Sequence, residues 1–279
     1  MDAEGGWNLA PTILLPLALY VGLYAWRFRV ARREAGGRGV RSWHALAFGG
    51  ATLALLAALV SPIDTLGDEL FTMHMTQHIL LGDIAPLLLL LSLSRVFMRP
   101  LTRRLLRVER AFGPLAHPVT AIALWFFLLY LWHIPTLYEA AIENPSVHVL
   151  EHASFFTAGV ALWWPLIQPV PMRNGLKGPA AFGYILGAKM GAGALGLYLV
   201  WSGDLVYDYY SGVERTWGLS ALEDQNLGGA IMMVEQSLVL AAVLIVLFAR
   251  MLSQSEEQDL RRERLEDAAS LSRAGAGPR

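Results

Sequence analysis

The chain is expected to be all-α, a polytopic membrane protein of seven transmembrane helices with its N-terminus outside and its C-terminus inside. Three observations carry this expectation. Of 279 residues, 55% are AVILMFWYC and only 16% are charged, against roughly 25% charged in soluble globular chains. Seven stretches approach the roughly 20 apolar residues that a helix needs to cross a hydrocarbon core about 30 Å thick. The basic residues collect in alternate loops, as cytoplasmic loops do.

The first stretch, Ala10 to Phe28, comes after Met-Asp-Ala-Glu-Gly-Gly, an acidic start without the basic leader of a signal peptide, so it reads as a retained span. The second runs from Trp43 to Val60 and the third from Phe71 to Leu93. Pro118 to His133 is the fourth and shortest, and Val147 to Ile167 the fifth. In the sixth, Pro179 to Trp201, Gly183, Gly187 and Gly191 recur every four residues, which suits close packing of another helix. The seventh is Leu227 to Arg250. Residues 1–252 thus form the membrane domain and 253–279 a charged cytoplasmic tail. Glu256 to Asp267 has the mixed charge of a short solvated helix, and the Gly/Ala/Ser-rich end after it is expected to be disordered.

Arg27 to Arg41, Arg95 to Arg110, Arg173 with Lys177, and the stretch from Arg250 onward hold twenty of the 22 bases. Arg215 is the one base assigned to an outer loop, and Lys189 lies within the sixth span. The net charge of -1 therefore conceals twenty bases and eight acids inside, against one base and thirteen acids outside. The basic side fixes orientation in the lipid bilayer, and the acidic side favours a cationic partner from outside. Nothing in this balance points to nucleic acid. Trp43, Trp132, Trp201 and Tyr138 near span ends read as an interfacial aromatic belt.

The absence of cysteine excludes disulfides, thiolate metal sites, iron–sulfur clusters and thiol nucleophiles. Histidine carries the chemical signal instead. His74 and His78 stand four apart near the outer end of the third span, His148 and His152 four apart near that of the fifth, and His133 at that of the fourth. Residues at i and i+4 share a helix face, so each pair projects two imidazoles one way. Five neutral rings at one depth form a candidate metal site, whereas His44 and His117, at the cytoplasmic ends, read as ordinary interfacial histidines.

Imidazole suits copper, zinc, iron and nickel, and copper(II) binds most tightly among the divalent ions. Met73, Met75, Met232 and Met233 lie near the same helix ends and offer thioethers that favour copper(I). Gln77, Glu151 and Asp224 are placed to hydrogen-bond the second nitrogen of a ligand ring. Two other readings stay open. His148-Val-Leu-Glu151-His152 matches the His-x-x-Glu-His pattern of zinc hydrolases, and any two facing histidines could hold a b-type haem. Deeper in the spans, Asp83, Lys189 and Glu235 fall near mid-membrane, where charges are costly unless paired, so they are expected to form an ion cluster or to mark a proton or ion path.

Five segments in order resemble the CtaG-type cytochrome c oxidase assembly factors associated with caa-type oxidases. They are His74-Met-Thr-Gln-His78-Ile-Leu-Leu-Gly-Asp-Ile-Ala-Pro86, Trp132-His133-Ile-Pro135-Thr-Leu-Tyr138, His148-Val-Leu-Glu-His152-Ala-Ser-Phe155, Trp163-Trp164-Pro165 and Asp224-Gln225-Asn-Leu-Gly228-Gly229. The resemblance implies a non-enzymatic assembly factor in a bacterial plasma membrane, handling copper for a haem–copper oxidase. Its implied partners are cytochrome c oxidase subunits and a copper donor protein. It carries the five histidines over as metal candidates, with Glu151, Asp224 and Gln225 beside them. The chain departs from the pattern at Met233 and Glu235, where Trp and Pro-Gly are usual, and at Asp83, where an apolar residue is usual. The mid-membrane charges therefore belong to this chain, not to the family.

Overall fold

The computed structural model describes residues 6–36, 38–213 and 217–275. Among these every regular element is helical and no strand occurs. Helix α1, Pro11–Glu34, starts on a proline at its first position, where a missing N–H costs nothing. Its outward Leu15, Leu19, Leu23 and Trp26 are exposed, an apolar surface suited to lipid. Helix α2, Ser42–Leu59, is capped by His44, whose Nδ1 accepts the Arg41 backbone N–H (3.1 Å). His117 does the same for α7, Pro118–Trp132, accepting the Val119 N–H (3.2 Å). Both histidines outside the cluster thus serve helix starts.

A short α3, Pro62–Leu66, leads into the third apolar stretch, Phe71–Ser92, which is one continuous rod with an interruption. Helix α4, Phe71–Ile79, passes through a π turn at Leu80–Ile84 into α5, Ala85–Ser92. Pro86 accounts for the turn. It lacks the N–H that would reach the Gly82 carbonyl, and its ring displaces that carbonyl. The added residue rotates α5 against α4, and Asp83, within the π turn, pairs with Lys189 and Trp163 instead of facing the histidines.

Helix α6, Arg95–Phe112, is amphipathic: Arg95, Arg99, Arg103, Arg107 and Arg110 lie along one side, and Met98, Leu101, Leu105, Val108 and Phe112 along the other. Arg27 on α1 holds its start, donating to the carbonyls of Val96 and Phe97 (2.9 Å each). Helix α6 meets α7 at a 70° bend across a 3₁₀ turn, Gly113–Ala116. Then come α8, Pro135–Glu143, α9, Pro145–Ile167, α10, Gly178–Trp201, a 3₁₀ turn at Asp208–Ser211, and α11, Ala221–Gly275.

Five described helices or stretches are long and apolar enough to cross a membrane, six if the bent α6–α7 pair counts as one span. Seven were expected, and the difference has two causes. Helix α7 has only 15 residues, and α9, although 23 residues long, is not among the five. Helix α9 carries His148, Glu151 and His152, and the burial of Glu151 shows that this face turns into the bundle instead of toward solvent. Helix α11 runs well past Arg250, the expected end of its span, and its described side chains from 255 to 266 are exposed. Arg215 and residues 276–279 lie outside the described residues.

The glycine ladder of α10 packs differently from expectation. A β-carbon on Gly183 or Gly187 would meet nothing within 4 Å, and only Gly191 is close to a neighbour, the Phe126 ring. The tight crossing of α10 and α11 falls at Gly196 and Gly229 instead, where added β-carbons would stand 2.8 and 2.7 Å from the opposite carbonyls.

Candidate metal centre

Helices α4, α9 and α11 begin, and α7 ends, at one end of the bundle. Asp224 in the first turn of α11 ties two of these starts together. Its carboxylate accepts the backbone N–H groups of Phe71 (2.8 Å) and Thr72 (3.1 Å), capping α4, while the Thr72 hydroxyl donates to the Asp224 carbonyl (3.0 Å). Asn144 caps α9 in the same way, accepting from Ser146 and Val147, with Pro145 at the first position. The Asp224 cap ties the start of α4 to α11, the Asn144 cap is local to α9, and each histidine pair follows within about two turns of its capped start.

The pairs face each other. Ring centroids are 4.3 Å apart for His74 and His78, 4.0 Å for His148 and His152, 5.4 Å for His74 and His148, and 5.7 Å for His78 and His152. Glu151, fully buried, lies between them. Its Oε2 is 3.8 Å from Nε2 of His74 and its Oε1 is 3.5 Å from Nε2 of His78. Two donor triads result, His74 with His148 and Glu151, and His78 with Glu151 and His152, each with ligand atoms within 4.8 Å of one another.

Both ring nitrogens of His74 and His78, Nε2 of His148 and His152, and both carboxylate oxygens of Glu151 are buried without a hydrogen-bond partner. Buried polar groups are almost always paired, and leaving one unmade costs about 1–3 kcal/mol. Such atoms concentrate at one point here, where the two triads could hold a metal ion.

His133 stands beside the triads, its ring centroid 6.3 Å from that of His78. Its Nδ1 is 2.7 Å from the Leu129 carbonyl, so that nitrogen is the donor and Nε2 is left unpartnered. Between His78, His133 and Asp83 lies a cavity of about 30 Å³, also lined by Met75, Met232 and Gln236. Met75 and Met232 thus border the site, whereas Met233 packs against Gly196 in the α10–α11 crossing and Met73 is half-buried on α4.

The residues expected to orient ligand rings do other work. The Gln77 amide donates to the Ala58 carbonyl and to Asp64 (2.7 Å each), fastening α4 to α2 and α3. Gln225 accepts the Val206 N–H (2.7 Å) and donates to the Asp204 carbonyl (3.3 Å), bracing the loop after α10. Asp224 is the cap described above. The Gln77 amide N–H groups, Gln225 and Asp224 thus bind other elements of the bundle, while Glu151 faces two histidines as a candidate ligand itself.

An aromatic layer covers the pairs. Tyr138 is fully buried, its ring 4.9 Å from His74 and 4.0 Å from Tyr207, and its hydroxyl pairs with that of Tyr210 (2.9 Å), which donates to the Gly67 carbonyl (3.0 Å). Burial pushes the hydroxyls of Tyr138, Tyr207 and Tyr210 well up from their ordinary range, so they remain protonated. Tyr138 is therefore no interfacial belt residue, and neither is Trp132, which is buried and donates to Ser154 (2.7 Å). Trp43 and Trp201 are exposed. The run Tyr207-Asp-Tyr-Tyr210 was a sequence signal for this layer that composition passed over.

Beyond the cavity, Lys189 forms a salt bridge with Asp83 and lies 4.0 Å from Glu235. The Trp163 indole donates to the other Asp83 oxygen (2.6 Å), and the Gln236 amide to Glu235 (2.6 Å). Trp163 is a member of this cluster that charge counting alone did not reveal.

A helical protein with several membrane-length apolar helices and a buried histidine–carboxylate cluster is therefore defined by fold and site together. The chain belongs to the cytochrome c oxidase caa3 assembly factor family (Caa3_CtaG), whose model matches residues 22–254. It is similar to an uncharacterized protein of Mycobacterium leprae, 24% identical over 237 residues, and to one of Mycobacterium bovis, 25% identical over 230 residues. Each match covers 77% of this chain and 35% of the relative, so the chain spans about a third of those proteins' length. No solved structure matches.

Proposed function

We propose that the protein is a copper-binding assembly factor for a haem–copper oxidase. It takes copper at the histidine–glutamate cluster and passes it, directly or through a partner, to the nascent oxidase. It spans a bacterial plasma membrane seven times with its N-terminus and histidine end outside, and α6 rests on the inner surface, arginines toward lipid headgroups. Membership of the family supports the assembly role. The observation that carries the copper reading is the set of buried, unpartnered imidazole nitrogens and carboxylate oxygens on α4 and α9. Imidazole and carboxylate suit first-row transition ions, and bordering Met75 and Met232 would accommodate copper(I) during exchange. Half-buried His148 and His152 leave a side open for cargo to arrive and depart.

The alternatives fare less well. A hydrolase needs room for substrate, and the cavity adjoining His78 and His133 is about 30 Å³, the scale of one water. A haem needs room for its macrocycle between two axial rings, whereas here the buried Glu151 carboxylate stands 3.8 and 3.5 Å from His74 and His78 and the adjoining cavity is about 30 Å³.

The test is copper content. Purified protein loaded with copper and desalted retains it, and the variant His74→Ala/His78→Ala/His148→Ala/His152→Ala retains none while keeping its helical circular dichroism. Undiminished copper in that variant removes the reading. A Soret band in the purified protein would favour haem, and peptide cleavage lost in Glu151→Gln would favour a zinc hydrolase.

A further inference from the structure

Granting that the cluster binds metal, we infer that it holds two ions side by side, bridged by the Glu151 carboxylate. The distances point this way. A tetrahedral ion with bonds of about 2.0–2.2 Å sets its ligand atoms roughly 3.4 Å apart, whereas a hydrogen bond from imidazole to carboxylate would be about 2.7–3.2 Å. The two Glu151–histidine separations, 3.5 and 3.8 Å, match the spacing of ligands around an ion. They also use different oxygens, Oε2 toward His74 and Oε1 toward His78. A carboxylate with each oxygen directed to a different imidazole is arranged as a bridge.

The histidines divide accordingly. His74 and His148 belong to one triad and His78 and His152 to the other, with Glu151 common to both. The i,i+4 spacing on α4 and α9 produces this division, since each helix contributes one ring to each triad, one turn apart. Unsatisfied atoms give a second reason. One four-coordinate ion would use four donors and leave the remaining buried nitrogens or one Glu151 oxygen without a partner. Two ions engage Nε2 of His148 and His152, a nitrogen of His74 and of His78, and both Glu151 oxygens.

Each triad has three protein ligands, so each ion keeps an open position. His133 Nε2, unpartnered and next to His78, is placed to supply a further ligand to the second triad. The half-buried side at His148 and His152 admits solvent or a partner's ligand. Open positions suit cargo that must be handed on, and two ions per chain would double what each delivers.

The experiment is metal counting on the purified full chain, with copper(II) and zinc(II) salts as separate probes, joined to electron paramagnetic resonance of the copper-loaded protein. The bridged pair predicts two ions per chain at saturation. Glu151→Gln, whose amide offers a single good donor oxygen, then holds one at most, a twofold loss. His74→Ala/His148→Ala and His78→Ala/His152→Ala each keep one. In the unmodified chain, coupled copper(II) ions integrate to well below the copper content and give a half-field transition, a readout that needs no variant to fold. Saturation at one ion, with a fully integrated mononuclear signal, overturns the pair and leaves the copper proposal standing. No bound metal with either probe overturns both.

Discussion

The carbonyl oxygen of Gly82 lies against Gly159, at a spot that a β-carbon on residue 159 would overlap. Pro86 pushes that carbonyl out of the helix at the π turn, and Gly159 provides the gap that receives it. The contact brings the rods carrying the two histidine pairs together. Gly159→Ala is expected to lose about 1–3 kcal/mol through overpacking, although alanine is the better helix former. Thermal unfolding in detergent, with Gly183→Ala in open space as a control expected about 0.5–1 kcal/mol more stable than the parent, checks this. A Gly159→Ala protein as stable as the control would show the contact to be loose.

Lys189 is the cation of a buried cluster otherwise made of Asp83 and Glu235. Lys189→Met leaves those carboxylates without it, and breaking a buried pair on one side costs about 3–5 kcal/mol. The combined variant Lys189→Met/Asp83→Asn should recover part of that loss, because neither residue then carries a charge. Denaturation midpoints of the two variants give the comparison, and metal content should change little in either. Equal stability of the parent and Lys189→Met would deny the pair a structural role.

Asp224→Ala removes the cap from α4, for an expected cost of about 0.5–2 kcal/mol. Because the cap ties the α4 start, one turn before His74, to α11, metal affinity should fall together with stability. Asp224→Asn keeps an acceptor oxygen and should be milder on both measures. If Asp224→Ala loses stability but holds metal as tightly as the parent, α4 does not depend on its cap for aim.

The chain has no cysteine, so single cysteines can report topology directly. Ser146→Cys, exposed at the start of α9, should react with a membrane-impermeant maleimide in intact cells. Ser255→Cys, exposed on α11 beyond the apolar stretch, should react only after permeabilisation. The opposite pattern would invert the proposed orientation, and labelling of both in intact cells would require an even number of crossings between them.

Parts of this arrangement were readable from local pattern alone. The i,i+4 spacing of His74 with His78 and of His148 with His152 fixes two rings on one helix face wherever that helix packs. Sequence proximity places Glu151 beside His148 and His152, whereas the imidazoles facing its two oxygens, those of His74 and His78, come from a helix more than 70 positions earlier in the chain. The contacts of Asp224 with the start of α4 and of Gln77 with Ala58 and Asp64 were hidden from sequence for a related reason. A polar side chain near histidines in sequence can be claimed by unsatisfied backbone, and only the assembled bundle reveals which N–H or carbonyl is nearest. Along α9 the burial of Glu151 and the exposure of Val149 and Leu150 divide the helix by face, a relation that apolar content averaged along the chain does not carry.

The sequence by itself determined the helical class, the apolar stretches, the segregation of charge and the pairing of histidines. Each depends on composition or on periodicity within one helix, which is set before any helix meets another. Tertiary structure decided which glycines make close crossings, that Tyr138 covers His74, that Trp163 joins Asp83 and Lys189, and that one carboxylate faces two histidine pairs. Those relations depend on the rotation and depth of helices distant in sequence. Steric gaps such as Gly159, displaced carbonyls such as that of Gly82, and caps such as Asp224 set them.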